Sequence, residues 1–519
     1  MSSGTRLGYP CPRMTPSLLS EPESTFARWL PPTAIVVLAA PCLFLAYLPM
    51  TDLPQHTAVM SILKNLGDPA FDFDAYYETT PDRSLYFFTY GIALAFAKIV
   101  PLEIAVRIVV FLSAIAYPLG VLAVLRATGR PGALALLSLP LMYSRTFFWG
   151  FANFNLALGM ALIAVALLER GVRGVRGEVV LAALCIALVL THTYGIAILF
   201  GYACLWLVVG DRRALLARLP ALSPLVLGAL AWFLLGHDVE GRGGIRFLSL
   251  ADRVRHFEDS LIGSYPNWSD EILVVAMLGA IAFFAARTFP WNRARWRELG
   301  RCERIFALYS GLNLALYFAL PTHLPSWHHI HFRHALLAVA FLPLIAQAPD
   351  GPGARKAAIA LLTTLTLLTF AIHWSHLIRF DREARGFDDV IAELPDTPKV
   401  YFLNWDPEGT VTETHAYHHF HAYIQARRGG LISFSFPELF WNIPVRVHEN
   451  AGIPRLNVGS EWNARLFDYD EVGDFYDYML VRKRAEQRGV ESLAKFPYER
   501  IYSNPPWELY RHLPDEGVE

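Results

Sequence analysis

Cysteine is scarce: Cys11, Cys42, Cys185, Cys204 and Cys302 are the only five in 519 residues. No two stand in C-x-x-C spacing, which excludes a thiolate metal centre or a dithiol redox motif as the organising chemistry. Charge is also scarce, at 18% of residues with a net of −1. Without a basic tail or stripe, nucleic-acid binding is excluded as the first reading. No glycine-rich phosphate loop and no short internal repeat stands out. Acids near the centres of the apolar runs are few, and no paired broken helices or inverted repeat is visible, which counts against a transporter.

What the chain has instead is apolar sequence, 54% of its residues, arranged in runs of about 17–22 residues. Such runs match a hydrocarbon core about 30 Å thick and predict a polytopic membrane protein. Leu30–Met50 is the first run. It is too long for a signal h-region and lacks a small-residue cleavage site, so it reads as an uncleaved anchor. Residues 1–29, polar with Pro, Ser and Arg, read as a disordered cytoplasmic tail. Basic loops at Arg126–Arg130, Arg170–Arg176, Arg212–Arg218, Arg287–Arg304 and Arg355–Lys356 set the orientation by the positive-inside rule. Placing all five in the cytoplasm leaves spans at 103–125, 131–144, 150–168, 178–192, 193–209, 217–236, 270–286, 304–321, 334–348 and 357–374. With the first, that makes about eleven. Ser84–Val100 then starts and ends outside, and its Tyr86, Phe87, Phe88 and Tyr90 suit an interfacial helix. The alternative is a twelfth span. No cysteine falls in an extracytoplasmic loop in this topology, so no disulfide is expected.

Directly after the first run comes Thr51-Asp52-Leu53-Pro54-Gln55-His56-Thr57-Ala58-Val59-Met60. Val59, Ile62, Leu63 and Leu66 recur at helical spacing. Asp52 and His56, four apart, share a face of that helix. A carboxylate beside an imidazole at the water–lipid boundary suits proton transfer at a membrane-anchored substrate. The competing reading makes Asp52 an N-cap, with Gln55 completing a capping box and Pro54 in the first turn. The two readings are compatible.

The outside loops carry the other candidates. The first, residues 51–102, holds Arg83 and the triplet Asp72-Phe73-Asp74, readable as a D-x-D metal motif or as a turn. The second holds Tyr143-Ser144-Arg145 and Gly150-Phe151-Ala152-Asn153-Phe154-Asn155. Arg145 among aromatics can hold a phosphate, or it can stack on Trp149. Asn153 and Asn155 enter an apolar helix, where polar groups bind across helices or to ligand. His192 sits at the next outside turn, as a site residue or a hydrogen-bonded structural one. The 237–269 loop, with its glycines, is a candidate lid. His323–His334 holds five histidines in twelve residues, donors for a divalent metal or, with Arg333, for a lipid phosphate.

After Phe380 the composition turns charged and aromatic. Residues 380–519 read as a small extracytoplasmic α/β domain, with a helix at Gly386–Leu394 and strands at Lys399–Asn404, Tyr478–Arg482 and Trp507–Arg511. His415, His418, His419 and His421 fit one helical face, expected as solvated surface.

The order of one span, an outside loop opening with an acid, an interfacial aromatic helix, many spans and an outside C-terminal domain resembles the GT-C integral-membrane glycosyltransferases. Examples are the protein O-mannosyltransferases and the lipid A aminoarabinose transferases. Asp52–His56, Ser84–Arg107, Tyr143-Ser144-Arg145 and Phe332-Arg333 carry the likeness. Gly150 to Phe154 resembles the Gly-Phe-x-Asn-Phe of some bacterial members. Tyr476–Arg482 and Trp507–Arg511 are similar to their soluble domains. Two features depart from the pattern: Asp52 is flanked by Thr51 and Leu53, without an acidic neighbour, and where relatives place a second acid after the Ser-Arg element this chain has only Thr146 to Asn155.

The resemblance implies a mainly α GT-C-like domain over 30–379 in the inner membrane. Its activity would be inverting transfer of a sugar from a polyprenyl-phosphate donor to a lipid or glycan acceptor of the cell envelope, with a divalent metal as a possible cofactor. Asp52 and His56 are then the catalytic candidates. Arg145, Asn153, His192, Arg333, His331, Tyr86 and Arg83 are the substrate-binding ones. The alternative is a non-enzymatic relative that binds or scaffolds lipid-linked glycans.

Overall fold

The structure, a computed structural model, describes residues 25–81, 84, 86–171, 174–210, 212–235, 244–286, 293–324, 329–440, 443–454, 456, 459–484 and 495–513. Arg83, His328, the 1–24 segment and part of the 237–269 loop lie outside the described residues.

The chain is mainly helical with a small sheet region. Helical segments stand at every position where a span is expected, from Thr25–Ala39 to Pro352–Ala384. Among the described residues, three are long and apolar enough to cross a membrane: Leu102–Ala127, Ala152–Arg170 and Pro352–Ala392. Arg301–Ala319 is as long as Ala152–Arg170 but less apolar, and two of the others are cut short for local reasons. The first run stops being helical after Phe44. Its remainder turns inward, and the N–H groups of Ala46 and Tyr47 donate to the Asp381 carboxylate at 2.8 and 2.9 Å. The run expected over 131–144 is a 3₁₀ helix, Gly132–Tyr143, with Pro140 inside it. At about 2.0 Å per residue this tighter winding carries its twelve residues about 24 Å.

The two long helices in the middle touch backbone to backbone. A Cβ on Gly159 would fall 2.2 Å from the carbonyl carbon of Ala116, and one on Gly120 would fall 2.8 Å from the Gly159 oxygen. Small residues at facing positions are what allow apolar helices to associate by close packing where water supplies no drive.

Outside these helices, the first loop forms the helix Leu53–Asn65, strand β1 (Tyr77–Thr79) and the helix Phe87–Phe96. The C-terminal part contains β2 (Lys399–Asn404), β3 (Leu431–Ile432), β4 (Val445–Val447), β5 (Tyr478–Arg482), β6 (Tyr498–Asn504) and β7 (Trp507–His512). Five of these make one sheet ordered β3-β2-β5-β7-β6, parallel on the β3 side and antiparallel through β7 and β6. Strand β2 is buried on both faces. Val400 and Phe402 pack with Phe387, Leu480 and Trp507. Tyr401 and Leu403 pack with Met479 and Val481 on the other side, as the period of two requires.

The first loop and the C-terminal part are sewn together. β1 pairs antiparallel with β4. Gln55 donates to the Phe434 carbonyl at 2.8 Å and accepts from the Phe436 N–H at 3.0 Å. Ser61 donates to the Ala426 carbonyl at 2.9 Å. Arg427 pairs with Glu103 and Asp388 and covers the Tyr47 ring. These bonds bring the histidine turn at 415–421 over the start of the Leu53–Asn65 helix.

Candidate functional site

Asp52 occupies the N-cap position of the Leu53–Asn65 helix, but its carboxylate makes no cap hydrogen bond. Gln55 closes no capping box either, because both ends of its amide are committed to Phe434 and Phe436. The capping reading is therefore corrected. Pro54, in the first turn, has no N–H that needs a partner, and the Asp52 carboxylate stays out of capping.

The Ser144–Asn155 turn sets its position. The N–H groups of Thr51 and Asp52 donate to the carbonyls of Phe148 and Trp149 at 2.8 and 3.2 Å. Gly150, at φ +88°, lies directly against Asp52, with room for no side chain. The turn is braced from within. Thr146 donates to Asn155 at 2.8 Å, and the Ser144 and Thr146 hydroxyls bond at 2.8 Å. This is the structural use of Asn155 and of the glycine in the Gly-Phe-x-Asn-Phe element.

The imidazole facing Asp52 is that of His419, with Nε2 at 3.7 Å. His56, the expected partner, turns Nδ1 to the Tyr90 hydroxyl at 2.8 Å and lies edge-on to Phe436. This is a second correction: a one-turn spacing shares a face, but Tyr90 captures the ring. Glu461 closes the group, 3.2 Å from His418 Nε2 and 3.6 Å from His419 Nε2. The side chains of His418 and His419 are 1% and 5% exposed, while Asp52 keeps 19% and Glu461 18%. The acids are therefore the reachable side of the cluster. Burial, then the neighbouring Glu461 charge, pushes the Asp52 carboxyl up to about 8, against the pull of Arg333. Burial holds His419 well below the ordinary imidazole range, so it stands neutral beside the acid. Burial also lowers His56, to about 4.

Arg333 belongs to the same electrostatic neighbourhood. Its guanidinium lies over Phe151 at 4.4 Å, Tyr194 at 5.3 Å and Phe154 at 6.0 Å. His192 and Tyr86 flank this aromatic group. His192 Nδ1 accepts from the Tyr194 N–H at 3.0 Å, capping the Thr193–Val209 helix. Its ring lies 5.2 Å from Tyr86 and 5.8 Å from Phe154. Asn153 accepts from the Thr89 hydroxyl. Together with His56, Tyr90, Leu53 and Val109 it lines a small, mostly apolar cavity.

Two candidates are engaged elsewhere. Arg145 donates to the carbonyls of Asp259 and Gly263, its own N–H bonds Leu261, and its guanidinium covers Phe332. That makes it a clasp on the 259–263 loop in this conformation. His331 packs on Phe332 and Tyr317.

Among the described residues the histidines of 323–334 form no shared ligand set. His323 and His329 lie 5.3 Å apart, His329 stacks on Phe332 at 4.9 Å and tilts against Trp149 at 3.9 Å, and His334 bonds Asn313 at 2.9 Å. Asp72 is a left-handed turn residue, and Asp72 and Asp74 face solvent.

The residues missed at the sequence level are His418, His419 and Glu461. The run 415–421 is a turn, not a helix, and His418, His419 and His421 are buried. The expected solvated face is thus overturned. The density of imidazoles was the available signal. Glu461, 40-odd residues further along, carried none. No protein-family model and no curated protein matches the chain.

Proposed function

We propose that the chain is a polytopic inner-membrane glycosyltransferase of GT-C type, with its C-terminal domain extracytoplasmic. It moves a sugar, with inversion, from a polyprenyl phosphate to a lipid or glycan acceptor of the cell envelope. The observation that carries the reading is Asp52. It is a carboxyl released from capping, fixed by a glycine turn, partly open, and raised to about 8 by burial and Glu461. A base is most effective when its pKa lies near the working pH, and such perturbed carboxyls concentrate at reactive sites.

The chemistry is a single displacement. Asp52 takes the proton of the acceptor hydroxyl as the oxygen bonds to the anomeric carbon. The bond from that carbon to the phosphate oxygen breaks, and its electrons leave with the polyprenyl phosphate. Arg333, whose field already reaches Asp52, offsets the charge gathering on that phosphate. Coincidence of helices with all the expected spans supports the membrane part of the reading.

The test uses purified full-length protein in lipid nanodiscs, offered a panel of labelled polyprenyl-phosphate sugars with envelope lipids and glycans as acceptors. Free polyprenyl phosphate should appear in step with labelled acceptor. Tight donor binding without release from any donor would instead mark a non-catalytic binder of lipid-linked glycans.

A further inference from the structure

The group around Asp52 has a geometry that hydrogen bonding accounts for only at His418, which bonds Glu461 at 3.2 Å. His419 is buried, yet its side chain makes no hydrogen bond among the described residues, and Nδ1 has no partner. Its Nε2 points between two carboxylates, Asp52 at 3.7 Å and Glu461 at 3.6 Å. Those gaps are too long for a hydrogen bond. They are close to the separation of ligand atoms around one small cation. Donors about 2.0–2.1 Å from a tetrahedral zinc stand about 3.3 Å from each other. His418 Nε2, His419 Nε2 and Glu461 supply gaps of 3.2 and 3.6 Å, and ligand atoms of the three can all lie within 4.8 Å of one another. Trp462 stacks on His418 at 3.7 Å, fixing the plane of that ring.

We propose that His418, His419 and Glu461 bind a zinc ion through two imidazole nitrogens and one carboxylate oxygen, with water completing the coordination on the side where Asp52 stands. Two imidazoles and a carboxylate are a borderline donor set that suits zinc. The set does not suit magnesium or calcium, which take oxygen. All three ligands come from the C-terminal domain, so the ion requires only the folding of that domain. Its position puts it across the junction with the Leu53–Asn65 helix, where it would lock the histidine turn over Asp52. This inference does not depend on the transferase reading.

The test is metal binding by the purified full chain after treatment with chelator. Titration with zinc against a chromophoric competitor should show one tight equivalent per chain. Cobalt in its place should give the visible absorption of a four-coordinate complex. His419→Ala and Glu461→Gln should each weaken zinc binding by 10-fold or more, since losing even the hydrogen-bonded support of a ligand costs about 10–100-fold, with elution volume and helicity unchanged. His323→Ala, outside the cluster, should bind as wild type does. Absence of a tight equivalent in wild type, or wild-type affinity in both ligand variants, would overturn the assignment.

Discussion

A Cβ placed on Gly150 would lie 2.8 Å from the backbone nitrogen of Asp52 and 2.9 Å from its Cβ. Gly150 also stands at φ +88°, a region that costs a side chain about 1–3 kcal/mol. Gly150→Ala should therefore destabilise the protein by about that amount and displace the carboxylate. Thermal unfolding in nanodiscs, followed by tryptophan fluorescence, together with the transfer rate, checks this. A variant with unchanged melting and unchanged rate would contradict the role given to the turn.

The raised Asp52 carboxyl makes stability depend on pH. Unfolded, it releases its proton near the ordinary carboxyl value of 3.8; folded, it keeps it to about 8. Between those values the folded state binds more protons, so stability falls as pH rises, and it levels off above about 8. In chelator-treated protein, Asp52→Asn should match wild type below about pH 4 and exceed it increasingly up to about pH 8, by an amount on the order of a few kcal/mol. Melting curves of the two proteins across that range read the difference. An Asn variant less stable than wild type at pH 8 would show that the carboxylate is instead favourably paired.

Arg333 pulls the Asp52 carboxyl downward. Removing that cation should let it rise further. In metal-free protein, the infrared band of the protonated carboxyl should persist to higher pH in Arg333→Gln than in wild type, and it should vanish in Asp52→Asn. A band whose midpoint ignores Arg333 would separate the two residues and weaken the case for a shared phosphate site.

Gln55 joins the Leu53–Asn65 helix to the C-terminal domain through two buried hydrogen bonds. Gln55→Ala leaves the Phe434 carbonyl and the Phe436 N–H unpaired, at about 1–3 kcal/mol for each stranded group. Amide exchange should quicken at Phe436 and across the histidine turn, ahead of the β2–β5–β7 sheet. Unchanged exchange there would mean that β1–β4 pairing and the Ser61 and Arg427 contacts hold the junction without Gln55.

Much of the fold is legible from apolar periodicity. The helices stand where the runs predict them, and β2, β5 and β7 fall on the runs rich in branched and aromatic residues. What escapes is what depends on distant partners. β1 and β4 are three residues each and exist only through each other. β6 is an edge strand with little buried surface. The end of the first run reads as membrane sequence through Met50, but Asp381 supplies a carboxylate that draws Ala46 and Tyr47 out of helical bonding. At the site, Asp52 is marked by its place at the head of a helix, and Arg333 by its place in the histidine-rich 323–334 loop. His419 is not marked, because a histidine turn looks solvated until the Gln55 and Arg427 bonds fold it over the acid. The spacing rule that pairs Asp52 with His56 fails for the same reason: it counts neighbours along one helix, and Tyr90 comes from another.

The most direct test of the central claim compares wild type with Asp52→Asn in the donor panel, using correctly inserted protein at matched amounts. Transfer by wild type with a loss of about 10²–10⁴-fold in the variant, at similar donor affinity, is the predicted result. An Asn variant that transfers sugar at the wild-type rate would contradict it.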